Sequence, residues 1–134
     1  MAKNLLIVES PAKAKTIAVV GAGPAGLSAA MTAAERGHKV TIFDRADKLG
    51  GQLNIAKQVP GKEEFFGLVD WFETMVAEMG IEVKLNTTAT VDALAGFDEV
   101  IIATGVVPRD PLFLKASGLG VPLGLLYANP PAAA

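Results

Sequence analysis

Short apolar runs separated by turn residues mark the first half of the chain. Residues 4–8, Thr16–Val20 and Lys39–Phe43 are rich in β-branched and aliphatic side chains, and a polar or glycine-containing stretch follows each run. Such runs are typical of interior strands in a parallel sheet. We predict strands at all three positions and a further buried strand within residues 98–103.

Two segments have the periodicity of helices. Between Pro24 and Gly37, apolar side chains recur every three or four residues, with the proline in the first turn and the glycine at the stop. Residues 62–79 carry the clearest amphipathic stripe, formed by Phe65, Val69, Phe72, Val76 and Met79. Residues 45–61 are predicted to be a polar loop, and residues 81–85 and 87–91 small strands.

Strands that alternate with helices predict an α/β fold, a Rossmann-like βαβ domain with a parallel sheet. We assign residues 16–111 to this domain, residues 1–15 to an N-terminal extension and residues 112–134 to an irregular tail. From Pro108 onward, five prolines and several glycines leave no usable period.

Composition narrows the function classes. The 134 residues fit one domain, and a net charge of −2 gives no general attraction to nucleic acid or anionic lipid. No cysteine is present, which excludes disulfides, iron–sulfur ligation and a cysteine nucleophile. His38 is the sole histidine and has no second ligand near it in sequence, so we predict no metal site and no catalytic residue. The oligomeric state stays open.

The N-terminus lacks a signal-peptide pattern, and the late apolar stretch of residues 112–127 is broken by Lys115, Pro122 and three glycines. We therefore expect a soluble, cytoplasmic protein that has no membrane partner.

A glycine-rich turn carries the strongest chemical signal. Gly21, Gly23 and Gly26 form G-x-G-x-x-G directly after a predicted strand and at the start of a predicted helix. In that context the glycines permit a tight turn, close approach of a pyrophosphate and close packing of helix on strand. The free N–H groups and the positive end of the helix dipole then face the phosphates.

Asp44 ends the second strand of this unit, 18 residues after Gly26. A carboxylate there can accept hydrogen bonds from adenosine ribose hydroxyls. Arg45 either contacts a 2′-phosphate or is a plain surface residue. In the following loop, Gly51 and Gln52 belong to the stretch LGGQL, which is either a second close approach to the dinucleotide or an ordinary turn.

The stretches TIAVVGAGPAGLSAA, ERGHKVTIFDRADKLGGQLNIAKQVPGKEEF and FDEVIIATGVVPR resemble the FAD-binding segment of the 2,4-dienoyl-CoA reductase / NADH:flavin oxidoreductase group over about residues 15–111. The resemblance implies FAD as cofactor. It carries phosphate contact onto Gly21, Gly23, Pro24 and Ala25, and ribose contact onto Asp44. It carries further contact with the flavin nucleotide onto Gly51, Gln52 and the turn formed by Ala103, Thr104 and Gly105.

The chain also departs from that group. The group's FMN barrel, iron–sulfur cluster and NAD(P)H domain have no counterpart in this sequence, and the late Gly-Asp segment that positions the flavin ring is missing, because no Gly-Asp dipeptide occurs. We therefore expect binding of the ADP half of the cofactor without efficient turnover, since hydride transfer needs the ring placed against a donor.

A second resemblance covers about residues 1–17. KNLLIVESPAKAKTI is similar to the start of the Toprim domain of bacterial type I DNA topoisomerases, which casts Glu9 as an acidic residue near the cleavage site and Lys13 as its basic partner. That chemistry also needs a D-x-D motif, which this sequence lacks. We expect no topoisomerase activity, and we form the hypothesis that the chain is a chimera or a designed sequence.

Three functional interpretations stay open. The first is a dinucleotide-binding domain that holds FAD, and the second is the same site holding NAD(P), since G-x-G-x-x-G followed by an acid does not choose between them. The third is a fold-only protein whose cofactor site is vestigial.

Overall fold

A computed structural model describes residues 13–107. The chain divides into two compact units, Met1–Thr104 and Gly105–Ala134. The first contains a strand, a helix and a strand, then two helices, a strand, a helix and a strand. Their bounds are β1 Thr16–Val20, α1 Pro24–Glu35, β2 Lys39–Phe43, α2 Leu53–Ala56, α3 Glu64–Glu78, β3 Glu82–Lys84, α4 Val91–Leu94 and β4 Glu99–Ile102.

The four described strands form one parallel sheet in the order β3-β2-β1-β4. The chain runs outward from β1 through β2 to β3 and then returns to the other side of β1. This confirms the predicted α/β, Rossmann-like fold. The reversal beside β1 is a topological switch point, where open α/β sheets bind ligands outside the carboxyl ends of their strands.

The core lies between one face of the sheet and the two long helices. Ile17 and Val19 of β1 and Val40 and Ile42 of β2 alternate along their strands, so all four share a face. They belong to one buried cluster with residues of α1 and α3, chiefly Leu27, Met31, Val69, Phe72 and Val76. The predicted stripe of α3 therefore faces the sheet, and Phe65 and Met79 pack at its margin.

Three predictions about elements were wrong. Residues 87–91 are not a strand: Thr90 caps α4 by accepting a hydrogen bond from the Ala93 amide at 3.2 Å, so a helix start overrides the β-branched residues. The predicted polar loop contains the short helix α2, anchored by the buried Leu53. The strand within residues 98–103 forms but is not buried. Val100 and Ile102 are exposed because their register with Ala18 and Val20 points them to the sheet face away from α1 and α3.

Other predictions lie outside the described residues, namely the strand at residues 4–8 and the tail of residues 112–134. Within the described part of the chain, no helix is long and apolar enough to cross a membrane.

The amino ends of β1 and β4 are joined by a side-chain clamp. The Asp98 carboxylate accepts hydrogen bonds from the Thr16 amide at 2.8 Å and the Thr16 hydroxyl at 3.0 Å. These bonds, the amide first, hold the pKa of the Asp98 carboxyl below its ordinary value, and the nearby charge of Lys15 lowers that pKa further. Lys15 also pairs with Glu99 at 2.8 Å, an exposed ion pair that raises the pKa of Lys15.

This clamp predicts part of the acid sensitivity of the fold. A carboxyl that titrates lower in the folded state stabilises it above the unfolded pKa of about 3.9, and that stabilisation is lost as pH falls through the folded pKa. We expect Asp98→Asn to lower the Tm at neutral pH and to lose less Tm than the wild type on acidification. Thermal unfolding across acid pH measures both. Asp70→Asn, on the exposed side of α3, is the control. If the Tm of both variants fell equally as the pH was lowered, the prediction would be contradicted.

Candidate functional site

The glycine turn joins β1 to α1 at the carboxyl edge of the sheet. Gly21 has a φ of +113°, and a Cβ there would overlap the carbonyl of Ala103, which follows β4. A Cβ on Gly26 would overlap the carbonyl of Gly21. Both glycines are therefore required by close approach of the protein to itself, which confirms a tight turn packed beneath a helix.

Gly23 differs from its two neighbours in the motif. Its φ of −78° and ψ of −179° are extended backbone that any residue adopts. A Cβ there would have its nearest neighbour at 4.0 Å, the Cα of Gly51. Nothing in the described protein therefore requires a glycine at position 23. The space that a side chain would fill lies open over the turn, as a site for a closely approaching ligand needs.

The amino end of α1 opens onto the same place. Gly23 is the N-cap and has no side chain with which to satisfy the first amides of the helix, and Pro24 begins it. The N–H groups of a first turn, here those of Ala25 and Gly26, lack acceptors within their helix. Together with the positive end of the helix dipole they favour an anion, and phosphate is the usual one at such helix ends.

Ala22, in the middle of the turn, is held on both sides. Its amide donates to Oδ2 of Asp44 at 2.5 Å, and its carbonyl accepts from the Gly50 amide at 2.8 Å. The turn is thereby tied to the end of β2 and to the loop that follows β2. These two hydrogen bonds add to the constraint that the close packing of Gly21 and Gly26 places on the turn.

Asp44 is half-buried directly after β2. Its second carboxylate oxygen, Oδ1, accepts from the Ala46 amide at 2.8 Å. An ionised carboxylate offers about four acceptor positions, so two backbone donors leave capacity for the hydroxyls of a ribose. The two backbone bonds also fix the orientation of the group in advance.

The 49–51 turn, formed by residues 49–51, lies against the glycine turn. Gly51 has a φ of +51°, and a Cβ on it would lie 2.7 Å from the Cα of Gly23. Gln52 follows and is exposed. The structure therefore brings the LGGQL stretch beside the glycine turn.

The other residues predicted for the site are Ala103, Thr104, Gly105 and Arg45. Ala103 lies against Gly21 and donates its amide to the Val20 carbonyl at 2.7 Å, and Thr104 follows it. Arg45 is exposed and has no ion-pair partner among the described residues. Gly105 begins the second unit with a φ of +73°.

Sequence reasoning missed two contributors. Ala22 acts through its peptide groups, and a backbone contribution leaves no side-chain signal. Asn54, in α2, donates from Nδ2 to the Leu49 carbonyl at 2.6 Å and so holds the 49–51 turn. Its signal was an asparagine closely following a glycine pair, which is common in ordinary turns.

These features define a Rossmann-like domain of the dinucleotide-binding class. A family model for pyridine nucleotide-disulphide oxidoreductases matches residues 15–125. The chain belongs to this family.

Several known proteins are similar to it. The NADH oxidase of Thermoanaerobacter brockii is 44% identical over 107 residues, covering 78% of this chain and 16% of that protein. The N,N-dimethylglycine/sarcosine dehydrogenase of Chromohalobacter salexigens is 38% identical over 104 residues, covering 76% of this chain and 15% of that protein. A solved complex of 2-naphthoyl-CoA reductase with 2-naphthoyl-CoA matches with a TM-score of 0.72 and 38% identity, covering 75% of this chain and 16% of that one. The chain thus spans a small part of its relatives' length.

The contrast between the glycines gives a test on the protein without ligand. We expect Gly21→Ala to lower the free energy of unfolding by about 2–5 kcal/mol, because it adds both a strained φ and an overlap with Ala103. We expect Gly23→Ala to change it by less than about 1 kcal/mol, since the N-cap geometry accepts alanine at modest cost. Urea unfolding measures both values, and equal losses would contradict the assignment of the open space to a ligand.

Proposed function

We propose that this domain binds FAD through the ADP half of the cofactor. The observation that carries the proposal is the open space above Gly23, bounded by the amino end of α1 and the 49–51 turn. A pyrophosphate there accepts from the first amides of α1, beginning with Ala25. The ribose hydroxyls donate to Asp44, whose carboxylate is already oriented by Ala22 and Ala46.

The residues present suit this group by their chemistry. The phosphate side offers backbone donors and the positive end of a 12-residue helix, without an acidic residue in its first turn. The ribose side offers a carboxylate, which accepts from hydroxyls. The group that favours an anion is thus placed where the pyrophosphate of an adenosine diphosphate would lie. The group that accepts from hydroxyls is placed where its ribose would lie. A bound flavin would supply the hydride acceptor, and the chain's own residues hold and orient its nucleotide end.

NAD(P) is the alternative occupant, because its ADP half presents the same groups. The resemblance to flavin-dependent reductases favours FAD, as does the extra close approach of Gly51 beside the turn. Asp44 disfavours a 2′-phosphate, since two anionic groups would meet at the ribose, unless Arg45 compensates. Among the pyridine nucleotides we therefore expect NAD to bind better than NADP.

The test is retention of flavin. We expect the purified protein to retain FAD after desalting, with a perturbed absorbance spectrum, and to release it when ADP is added. Gly23→Asp should abolish retention while the circular dichroism spectrum stays unchanged, because it places a carboxylate where the phosphate binds. Gly67→Asp is the matched control, since position 67 lies on the exposed side of α3 with open space around it.

Other outcomes separate the alternatives. Retention of NADH in place of FAD, lost in Gly23→Asp, would support the pyridine-nucleotide alternative. A folded wild-type protein that retains neither cofactor would contradict binding and support the fold-only interpretation.

We further propose that the FAD-loaded domain has no efficient turnover by itself. The described site residues that support the proposal surround the adenosine end, and hydride transfer depends on the position of the flavin ring. NADH oxidation, followed by absorbance, should proceed at about the rate measured with the same concentration of free FAD. A rate many times higher that depends on the protein would contradict this.

A further inference from the structure

The 49–51 turn makes hydrogen bonds to residues outside it. Gly50 has a φ of +106° and Gly51 a φ of +51°, so two successive residues adopt left-handed conformations. The side chain of Asn54 folds back onto this turn. Its Nδ2 donates to the Leu49 carbonyl at 2.6 Å, and a Cβ on Gly50 would lie 2.9 Å from the same nitrogen.

The side-chain oxygen of Asn54 makes no hydrogen bond within the described part of the protein. Its Oδ1 is buried and meets no donor among residues 13–107. An unpaired buried acceptor lowers stability. If the position served stability alone, an apolar side chain of similar size would suit it as well, so the contribution of Asn54 lies in its donor.

The donor acts on the gap above Gly23. The Leu49 carbonyl begins the 49–51 turn, and Gly51 at the other end of that turn is the nearest described neighbour of a Cβ built on Gly23. The Gly50 amide, between them, binds the Ala22 carbonyl at 2.8 Å. A shift of the turn would therefore change both the width of the gap and one of the two hydrogen bonds made by the peptide groups of Ala22.

We propose that Asn54 is a positioning residue for nucleotide binding: by holding the Leu49 carbonyl it sets the distance between the 49–51 turn and Gly23, and so the fit of a pyrophosphate. This inference rests on the proposed function, because it concerns the same site. It adds a residue that touches neither the phosphate nor the ribose.

The test uses Asn54→Leu, which keeps the size of the side chain and removes both its donor and its unpaired acceptor without adding charge. We expect ADP affinity, measured by calorimetry, to fall about tenfold, which is the change expected for about 1.4 kcal/mol, the scale of one hydrogen bond. Adenosine has no phosphate, so its affinity, measured by NMR titration, should be unchanged. If Asn54 had a merely structural role, the substitution would lower the affinities for ADP and for adenosine by the same factor.

Val40→Ala is the control for general destabilisation, because Val40 is buried at the amino end of β2, away from the turn. We expect Val40→Ala to lower the Tm and to leave the ratio of the ADP affinity to the adenosine affinity unchanged. If Asn54→Leu does not fold, Asn54→Ser carries the same expectation, since its hydroxyl is too short to replace the amide donor.

The outcomes also distinguish the two proposals. A wild-type protein that binds no ADP would overturn the proposed function. If the wild type binds ADP, an unchanged ADP affinity in the Asn54 variant, or an equal loss of ADP and adenosine affinity, would overturn the role of Asn54 alone.

Discussion

The candidate site depends on how the peptide groups of Ala22 are held. Its amide is bound by the Asp44 carboxylate and its carbonyl by the Gly50 amide. One bond ties the glycine turn to the end of β2, the other to the loop beyond. Because three separate chain segments meet at one residue, the proposed phosphate cradle is held in place without a ligand, and such preorganisation reduces the cost of binding.

The sheet places these segments together. β1 and β2 are adjacent and parallel, so the turn after β1 and the acid after β2 emerge at the same edge. β4 lies on the other side of β1, which puts Ala103 against Gly21 and makes this edge the switch point of the fold. The clamp of Thr16 by Asp98 closes the opposite end of the same pair of strands. The strand order therefore determines the position of the site, and the residues directly after each strand determine its chemistry.

Much of this was predictable from the pattern of side chains. β1 and β2 were predicted from short apolar runs that end at turn residues. α1 and α3 were predicted from apolar side chains that recur every three or four residues, with Pro24 and Gly37 marking the ends of α1. The predicted strand at residues 87–91 was wrong because capping by Thr90 is a local hydrogen bond, which competes with β-propensity. The exposure of Ile102 depends on which face of the sheet its side chain points to and on what covers that face, and neither is given by the local sequence.

Within the motif, the sequence could not say why each glycine is there. A Cβ on Gly21 or Gly26 would overlap a backbone carbonyl of the protein itself, whereas a Cβ on Gly23 would enter open space. The first two therefore maintain the fold whether or not a ligand is bound, and a protein that had lost its cofactor would still need them. Gly23 has no such reason, so its presence is the specific argument for a ligand. Asn54 supports the same conclusion, since its buried and unpaired Oδ1 lowers stability, and a residue kept for stability alone would avoid that cost.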